Sequence, residues 1–263
     1  MNNTSEPRET LAEGSLISHL IELRDRLLRA VIAIGVAFIP CAYFQDELFT
    51  RVAQPLMDKM PKGTSMISTS ITAPFMAPLK LSILAAVFLA MPFILYQVWA
   101  FVAPGLYRHE KRFAVPLVIS SIVLFYAGVA FAYAVVFPLM FAFLTSAAPH
   151  GVLVMTDMTN YLDFVLLLFF AFGIAFEIPI ATVLLAATGL VKIETMTKNR
   201  GYIILGIFIV AAFLTPPDAV SQCFMAVPMY LLYEMGIVMS RVLLKNRLTR
   251  AQVDAEKRMA DGG

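Results

Sequence analysis

Residues 81–107 read LSILAAVFLAMPFILYQVWAFVAPGLY, and no Asp, Glu, Lys or Arg interrupts them. A bilayer core of about 30 Å is crossed by roughly 20 apolar residues in a helix, so this stretch is long enough to span it. Helix follows because, away from water, the backbone N–H and C=O groups must find partners within the segment. The same pattern extends outward. Residues 113–156 are equally free of those four residue types, 164–191 hold only Glu177, and 219–240 hold only Glu234. Hydrophobic residues make up 60% of the 263 and charged residues 14%, against about 45–50% and about 25% in a soluble domain. The chain reads as an all-α polytopic membrane protein.

Six spans fit the pattern, at about 27–45, 76–102, 114–144, 160–188, 201–215 and 219–240. They divide the chain into an N-terminal amphipathic segment 1–26, a six-helix transmembrane domain 27–240 and a basic tail 241–263. In the entry segment Leu16, Leu20, Leu23 and Leu27 fall on one helical face. Glu22 with Arg26, and Asp25 with Arg29, stand at the i,i+4 spacing that favours ion pairs.

Sixteen of the twenty Lys and Arg lie in the N-terminal segment, the loops after the second and fourth spans, and the tail. Basic residues mark the cytoplasmic side, so both termini are expected there. Arg51, Lys59, Lys62 and Lys80 lie near the loop 46–74 on the other face. Splitting 113–156 into two spans would carry the basic tail outside, so one span is expected. The 201–215 segment is short, and Thr215-Pro216-Pro217-Asp218 follows it at once. A re-entrant hairpin over 201–240 would keep the same sidedness; two true crossings are expected, with local thinning of the bilayer.

Pro40, Pro92, Pro116, Pro138, Pro179 and Pro228 all fall inside spans. Each removes a backbone hydrogen bond and can kink its helix, which predicts a cupped, splayed bundle. No internal repeat is visible, which weakens an inverted-repeat transporter reading. The first span is expected to be retained as its own insertion signal, since no small-residue cleavage site follows it. Cys41 and Cys223 read as isolated small hydrophobes without a disulfide or metal framework.

Glu177 stands in FGIAFEIP, midway along the fourth span. A charge at that depth costs at least about 2.5–3.5 kcal/mol on insertion scales, so it should face the bundle interior or a water-filled cavity. Glu110 lies in APGLYRHEKR, where topology explains the bases but not the acid. It is either a local salt-bridge partner of Arg108 or Arg112, or a carboxylate that accepts a cationic ligand; Glu22 poses the same question. No His-Glu-x-x-His, Gly-x-Ser-x-Gly or phosphate-binding loop is present. An intramembrane hydrolase has no legible nucleophile–base pair, and a proton-relay transporter has no chain of titratable groups beyond Glu177. Neither cofactor, metal nor nucleic-acid partner is expected.

Four segments together resemble the TatC family, the receptor subunits of the twin-arginine protein translocase. They are HLIELR at 19–24, YQVWAF with APGLYRHE at 96–110, FGIAFEIP at 172–179, and LTPPD with Ser221-Gln222 at 214–222. The resemblance implies six spans, cytoplasmic termini and a glove-like shape in the bacterial inner membrane. It implies a non-enzymatic receptor for signal peptides with two adjacent arginines, on folded precursors exported by the proton-motive force. The family's recognition residues map onto Glu22, Arg24, Phe101, Leu106 and Glu110, and its intramembrane acid onto Glu177. A guanidinium matches a carboxylate bidentately, so two acids suit two arginines. Pro55 and Asp218 map to the outer loops. Ala212, Phe213, Leu214, Thr215 and Gln222 map to the docking edge for the single-span partners TatB and TatA, in a self-associating TatBC complex among membrane lipid. The alternative is a small-solute secondary transporter that uses Glu177.

Overall fold

The computed structural model describes residues 6–57, 66–106, 114–146, 156–215 and 218–261. Apart from one isolated bridge, all the regular structure in them is helical, as the uncharged runs predict. In chain order the helices are α1 (Glu6–Tyr43), α2 (Gln45–Met57), α3 (Ala73–Leu106), α4 (Ala114–Phe131), α5 (Phe137–Ser146), α6 (Met158–Ala175), α7 (Ile178–Ala187), α8 (Ile193–Lys198), α9 (Arg200–Leu214) and α10 (Ala219–Asp261). Five helical runs are long and apolar enough to cross a membrane: 18–43, 73–101, 115–143, 158–187 and 219–243. The sixth apolar helix, α9, has 15 residues, about 22 Å at 1.5 Å per residue.

Several boundaries differ from those expected. The amphipathic entry and the first span form one continuous helix, α1, because nothing between Arg24 and Ala30 stops a helix. The sixth span and the basic tail are likewise one helix, α10. Pro40, Pro92 and Pro228 sit within α1, α3 and α10 without ending them, whereas Pro138 and Pro179 accompany breaks. A π-helical turn at Ala132–Val136 precedes Pro138 and joins α4 to α5. Before Pro179 the fourth span opens at Phe176–Glu177. The Phe176 N–H donates to Phe172 O (3.0 Å), but the Glu177 N–H tightens to Ile174 O (2.9 Å). Proline has no N–H and its ring clashes with the carbonyl four residues back, so α6 stops and α7 restarts.

The chain forms two compact units, one of residues 1–122 with 156–162, the other of 123–155 with 163–263. In the first, α1 runs antiparallel along α3. His19 stacks on Phe101 with ring centroids 4.2 Å apart. Further along, the Ser82 hydroxyl, fully buried, lies 2.9 Å from Pro78 O and 3.2 Å from Cys41 O. Trp99 Nε1 donates to the buried Ser121 hydroxyl at 2.7 Å, which satisfies two polar groups that would be costly unpaired in an apolar interior.

The end of this unit at the start of α3 and α6 closes with a clip. Ile67 N–H donates to Thr156 O (3.1 Å) and Met158 N–H to Ile67 O (3.0 Å), an isolated parallel bridge. Asp157 Oδ1 caps α6 by accepting the N–H groups of Thr159 and Asn160, both at 3.0 Å. Its Oδ2 accepts the Thr69 N–H (3.1 Å) and hydroxyl (2.7 Å). The Asn160 N–H, then the Thr69 hydroxyl, hold the Asp157 carboxyl below the usual carboxylate range. Tyr161 OH donates to Val52 O at 2.9 Å, tying α2 to α6.

In the second unit α7, α8 and α9 all pack on α10. Glycine makes the closest approaches possible. A Cβ on Gly236 would stand 2.9 Å from Pro179 Cα and Thr182 Cβ, and one on Gly173 2.5 Å from the Phe125 ring. Phe131 fills beside Phe172 and Phe176, with centroids 5.7 and 5.6 Å away.

Candidate functional site: a braced carboxylate and an exposed helix edge

Glu22 lies on α1 where that helix meets the last turns of α3. The expected i,i+4 partner is present: Arg26 Nε donates to Glu22 Oε1 at 3.0 Å, and its Nη2 reaches the same oxygen. The guanidinium then reaches across to α3, where Nη1 lies 3.4 Å from Gln97 Oε1. One turn further along α3, Phe101 carries the His19 stack. Glu22 and Phe101, 79 positions apart in sequence, thus meet at the same end of one helix pair, through Arg26, Gln97 and His19. Glu22 and Arg26 also line a surface depression with Ser18, Ile21, Asp25 and Arg29.

The other expected residues fall as follows. Asp25 takes Arg24, at 2.8 Å, rather than Arg29; neighbouring residues cannot share a helix face, so this pair forms by the arginine folding back over an exposed surface. Leu106 is the last residue of α3, and Glu110 lies outside the described residues. Pro55, expected in the outer loop, lies within the bounds of α2.

Glu177 occupies the N-cap position of α7, half-buried, with helical backbone angles (φ −77°, ψ −15°) and no side-chain cap bond. It stands at a break in the span rather than within a continuous helix. Its carbonyl still accepts the Ala181 N–H at 2.9 Å.

The α9–α10 edge is defined by what α9 leaves uncovered. Only Ile207 and Ala211 are buried along it, a narrow stripe continued by Thr215. Phe213 is 84% exposed, and Ala212 is exposed beside it. Thr215 adopts an extended conformation (φ −120°, ψ 159°), as a residue before proline should. Its hydroxyl donates back to Ala211 O at 2.9 Å. Asp218 caps α10: Oδ1 accepts the Ser221 N–H at 2.7 Å, and that bond holds its carboxyl below the usual range. Gln222 follows in the first turn, its N–H on Asp218 O at 3.2 Å.

Helical spacing gave Arg26 as the partner of Glu22, but neither Gln97 nor His19 was singled out as a site neighbour, nor Asp157 or the Arg200–Glu234 pair as anchors. A local signal existed for Asp157, since Asp-Met-Thr-Asn before an apolar run is a helix N-cap. The partners of Gln97 and Glu234 depend on helix register and leave no local trace.

The family described as "Sec-independent protein translocase protein (TatC)" matches residues 18–228. A Sec-independent protein translocase protein TatC of Azotobacter chroococcum mcd 1 is 54% identical over 222 residues, covering 84% of this chain and 87% of that protein. The protein of the same name from Escherichia coli (strain K12) is 51% identical over 226 residues, covering 86% and 88%. Two crystal structures of the twin-arginine translocase receptor TatC superpose with TM-scores of 0.78 and 0.79. They are 37% and 38% identical, and cover 85% and 84% of this chain and 98% and 99% of theirs.

Proposed function

The chain belongs to the TatC family of Sec-independent protein translocase proteins, and from that footing we propose that it is the signal-peptide receptor and scaffold of a twin-arginine translocase. That it is a multi-pass membrane component of the Tat system follows from the family and from five helical runs of spanning length. Family membership sets the small-solute transporter reading aside. The topology we favour has six crossings, with α9 as the short fifth and both termini in the cytoplasm; the placement of sixteen basic residues supports it.

In this reading Glu22 and Glu110 accept the two signal arginines on the cytoplasmic face, with Arg24, Phe101 and Leu106 beside them. The observation that carries it is the meeting of Glu22 and Phe101 at one end of the α1–α3 pair. A charge-assisted bond of this kind contributes about 1.5–3 kcal/mol. Glu177, at a break between helices, lies beside the path of the inserted signal. The α9 edge, with Ala212, Phe213, Leu214, Thr215 and Gln222, receives the single-span partners TatB and TatA, a reading supported by the apolar surface that α9 leaves uncovered at Ala212 and Phe213. Asp218 shapes that edge by starting α10, and Pro55 belongs to the outer region. Export is then driven by the proton-motive force, in a self-associating complex that turns over no small substrate.

Site-specific photo-crosslinking in membranes tests the reading. A probe at Glu110 is offered a precursor whose signal carries adjacent arginines or adjacent lysines. Crosslinks to the arginine precursor alone support the receptor; equal crosslinking to both, or to neither, rejects it. Glu110→Ala is expected to abolish binding of an arginine-pair signal while leaving the membrane fold intact.

A further inference from the structure

We propose that Arg26 is a positioning residue for signal recognition, clamped by Gln97 so that Glu22 presents one open carboxylate oxygen to an incoming guanidinium. The inference rests on the receptor reading above and extends it to two residues with no assigned role.

The geometry is asymmetric. Both Arg26 contacts to Glu22 go to Oε1, and among the described residues Oε2 accepts no hydrogen bond. The side chain of Arg26 is 20% exposed and that of Glu22 is 42% exposed, so the arginine lies behind the acid. Behind the arginine stands Gln97, 6% exposed, whose buried amide oxygen faces Arg26 Nη1. Arginine alone suits this role: its rigid fork holds a carboxylate with two nitrogens and keeps a third for another acceptor. An ammonium is a point charge on a flexible stem and cannot span both partners in a fixed direction.

Two consequences follow. A carboxylate already fixed in place loses less freedom when a ligand binds, so its affinity rises through preorganisation. The anchor also crosses from α1 to α3, which registers Glu22 against Phe101 and the end of α3 that leads to Glu110. An incoming guanidinium uses Oε2 and need not displace Arg26, which three contacts hold.

The test uses the full chain in lipid nanodiscs and two synthetic signal peptides, one with adjacent arginines and one with adjacent lysines. Arg26→Lys keeps the charge and removes the fork; Gln97→Leu removes the anchor; Gln97→Glu keeps an acceptor for Arg26. Arg26→Lys and Gln97→Leu are expected to weaken the arginine peptide about tenfold, narrow its margin over the lysine peptide, and leave the melting temperature near that of the parent. Gln97→Glu is expected to bind as the parent does. Unchanged or tighter binding in Arg26→Lys overturns the inference, the tighter result marking Arg26 as an internal competitor. Equal loss in Gln97→Leu and Gln97→Glu overturns the anchor. A parent that fails to distinguish the two peptides overturns the receptor reading itself, whereas a discriminating parent with indifferent variants overturns only the clamp.

Discussion

Arg200 and Glu234 form an ion pair between α9 and α10: Nη2 donates to Oε2 at 2.7 Å, and Nε lies 2.6 Å from Oε1 without hydrogen-bond geometry. Tyr230 OH adds a bond to Oε1 at 2.8 Å. This pair binds the first residue of α9 to the middle of α10, and α9 otherwise touches the rest of its unit along a narrow stripe. A charge-assisted hydrogen bond of this kind is shorter and stronger than a neutral one.

Breaking one partner leaves the other charge, on a side chain 42% exposed for Arg200 and 26% for Glu234, without the contact that ties α9 to α10. Glu234→Gln or Arg200→Gln is therefore expected to lower the melting temperature by several degrees and to speed proteolysis near residues 215–218. The charge-swapped double variant Arg200→Glu/Glu234→Arg is expected to recover much of the loss. Thermal unfolding and limited proteolysis of the four proteins check this.

Phe213 and Ala211 sit two positions apart on α9 and should respond in opposite ways. Phe213 is 84% exposed, so Phe213→Ala removes little packing; Ala211 is fully buried, so Ala211→Leu overpacks the contact with α10. We expect Phe213→Ala to weaken co-purification with single-span partners about tenfold, as loss of an aromatic anchor does, with unchanged thermal stability. Ala211→Leu is expected to cost about 1–3 kcal/mol of stability.

The α7–α10 crossing predicts a contrast between glycines. Gly236 admits no Cβ without pushing on the backbone of Pro179, while a Cβ on Gly206 meets nothing within 4 Å. Gly236→Val is expected to destabilise by about 1–3 kcal/mol. Gly206→Ala is expected to be neutral or to stabilise by up to about 1 kcal/mol, since alanine is the better helix former. Unfolding of the purified variants in a denaturing detergent series separates the two.

Asp157 predicts an acid response. Its carboxyl is held below the ordinary value of 3.8. A lowered folded-state pKa gives stability that is present above the unfolded value and lost as pH falls through the folded one. The clip around Asp157 is therefore expected to be intact at neutral pH and to weaken below about pH 4. Asp157→Asn is expected to lower stability at neutral pH and flatten the acid limb, read from melting temperature against pH.

Legibility differed between elements. The class and the helical runs were plain, because the cost of taking a segment into a bilayer is a local sum over its own side chains. The Glu22–Arg26 pair was equally plain, being set by helical spacing. Asp25 went to Arg24 rather than Arg29, because an exposed ion pair is worth little and rotamer choice decides it. All six span prolines were expected to be able to kink their helices, yet Pro179 breaks the fourth span at Glu177 while Pro40, Pro92 and Pro228 leave their helices whole. A proline's own residue type does not say whether neighbouring helices will compensate the freed carbonyl.

The amino-acid sequence by itself determined that this is a helical membrane protein and which few acids stand out against its apolar background. It did so because hydropathy and helical period act over one or two dozen neighbouring residues. Only the tertiary structure decided that Arg26 bridges Glu22 to Gln97, that Asp157 fastens Thr69 across 88 positions, and that Arg200 locks onto Glu234. Those pairings depend on the rotation and register of helices remote in sequence, and packing between their side chains sets both.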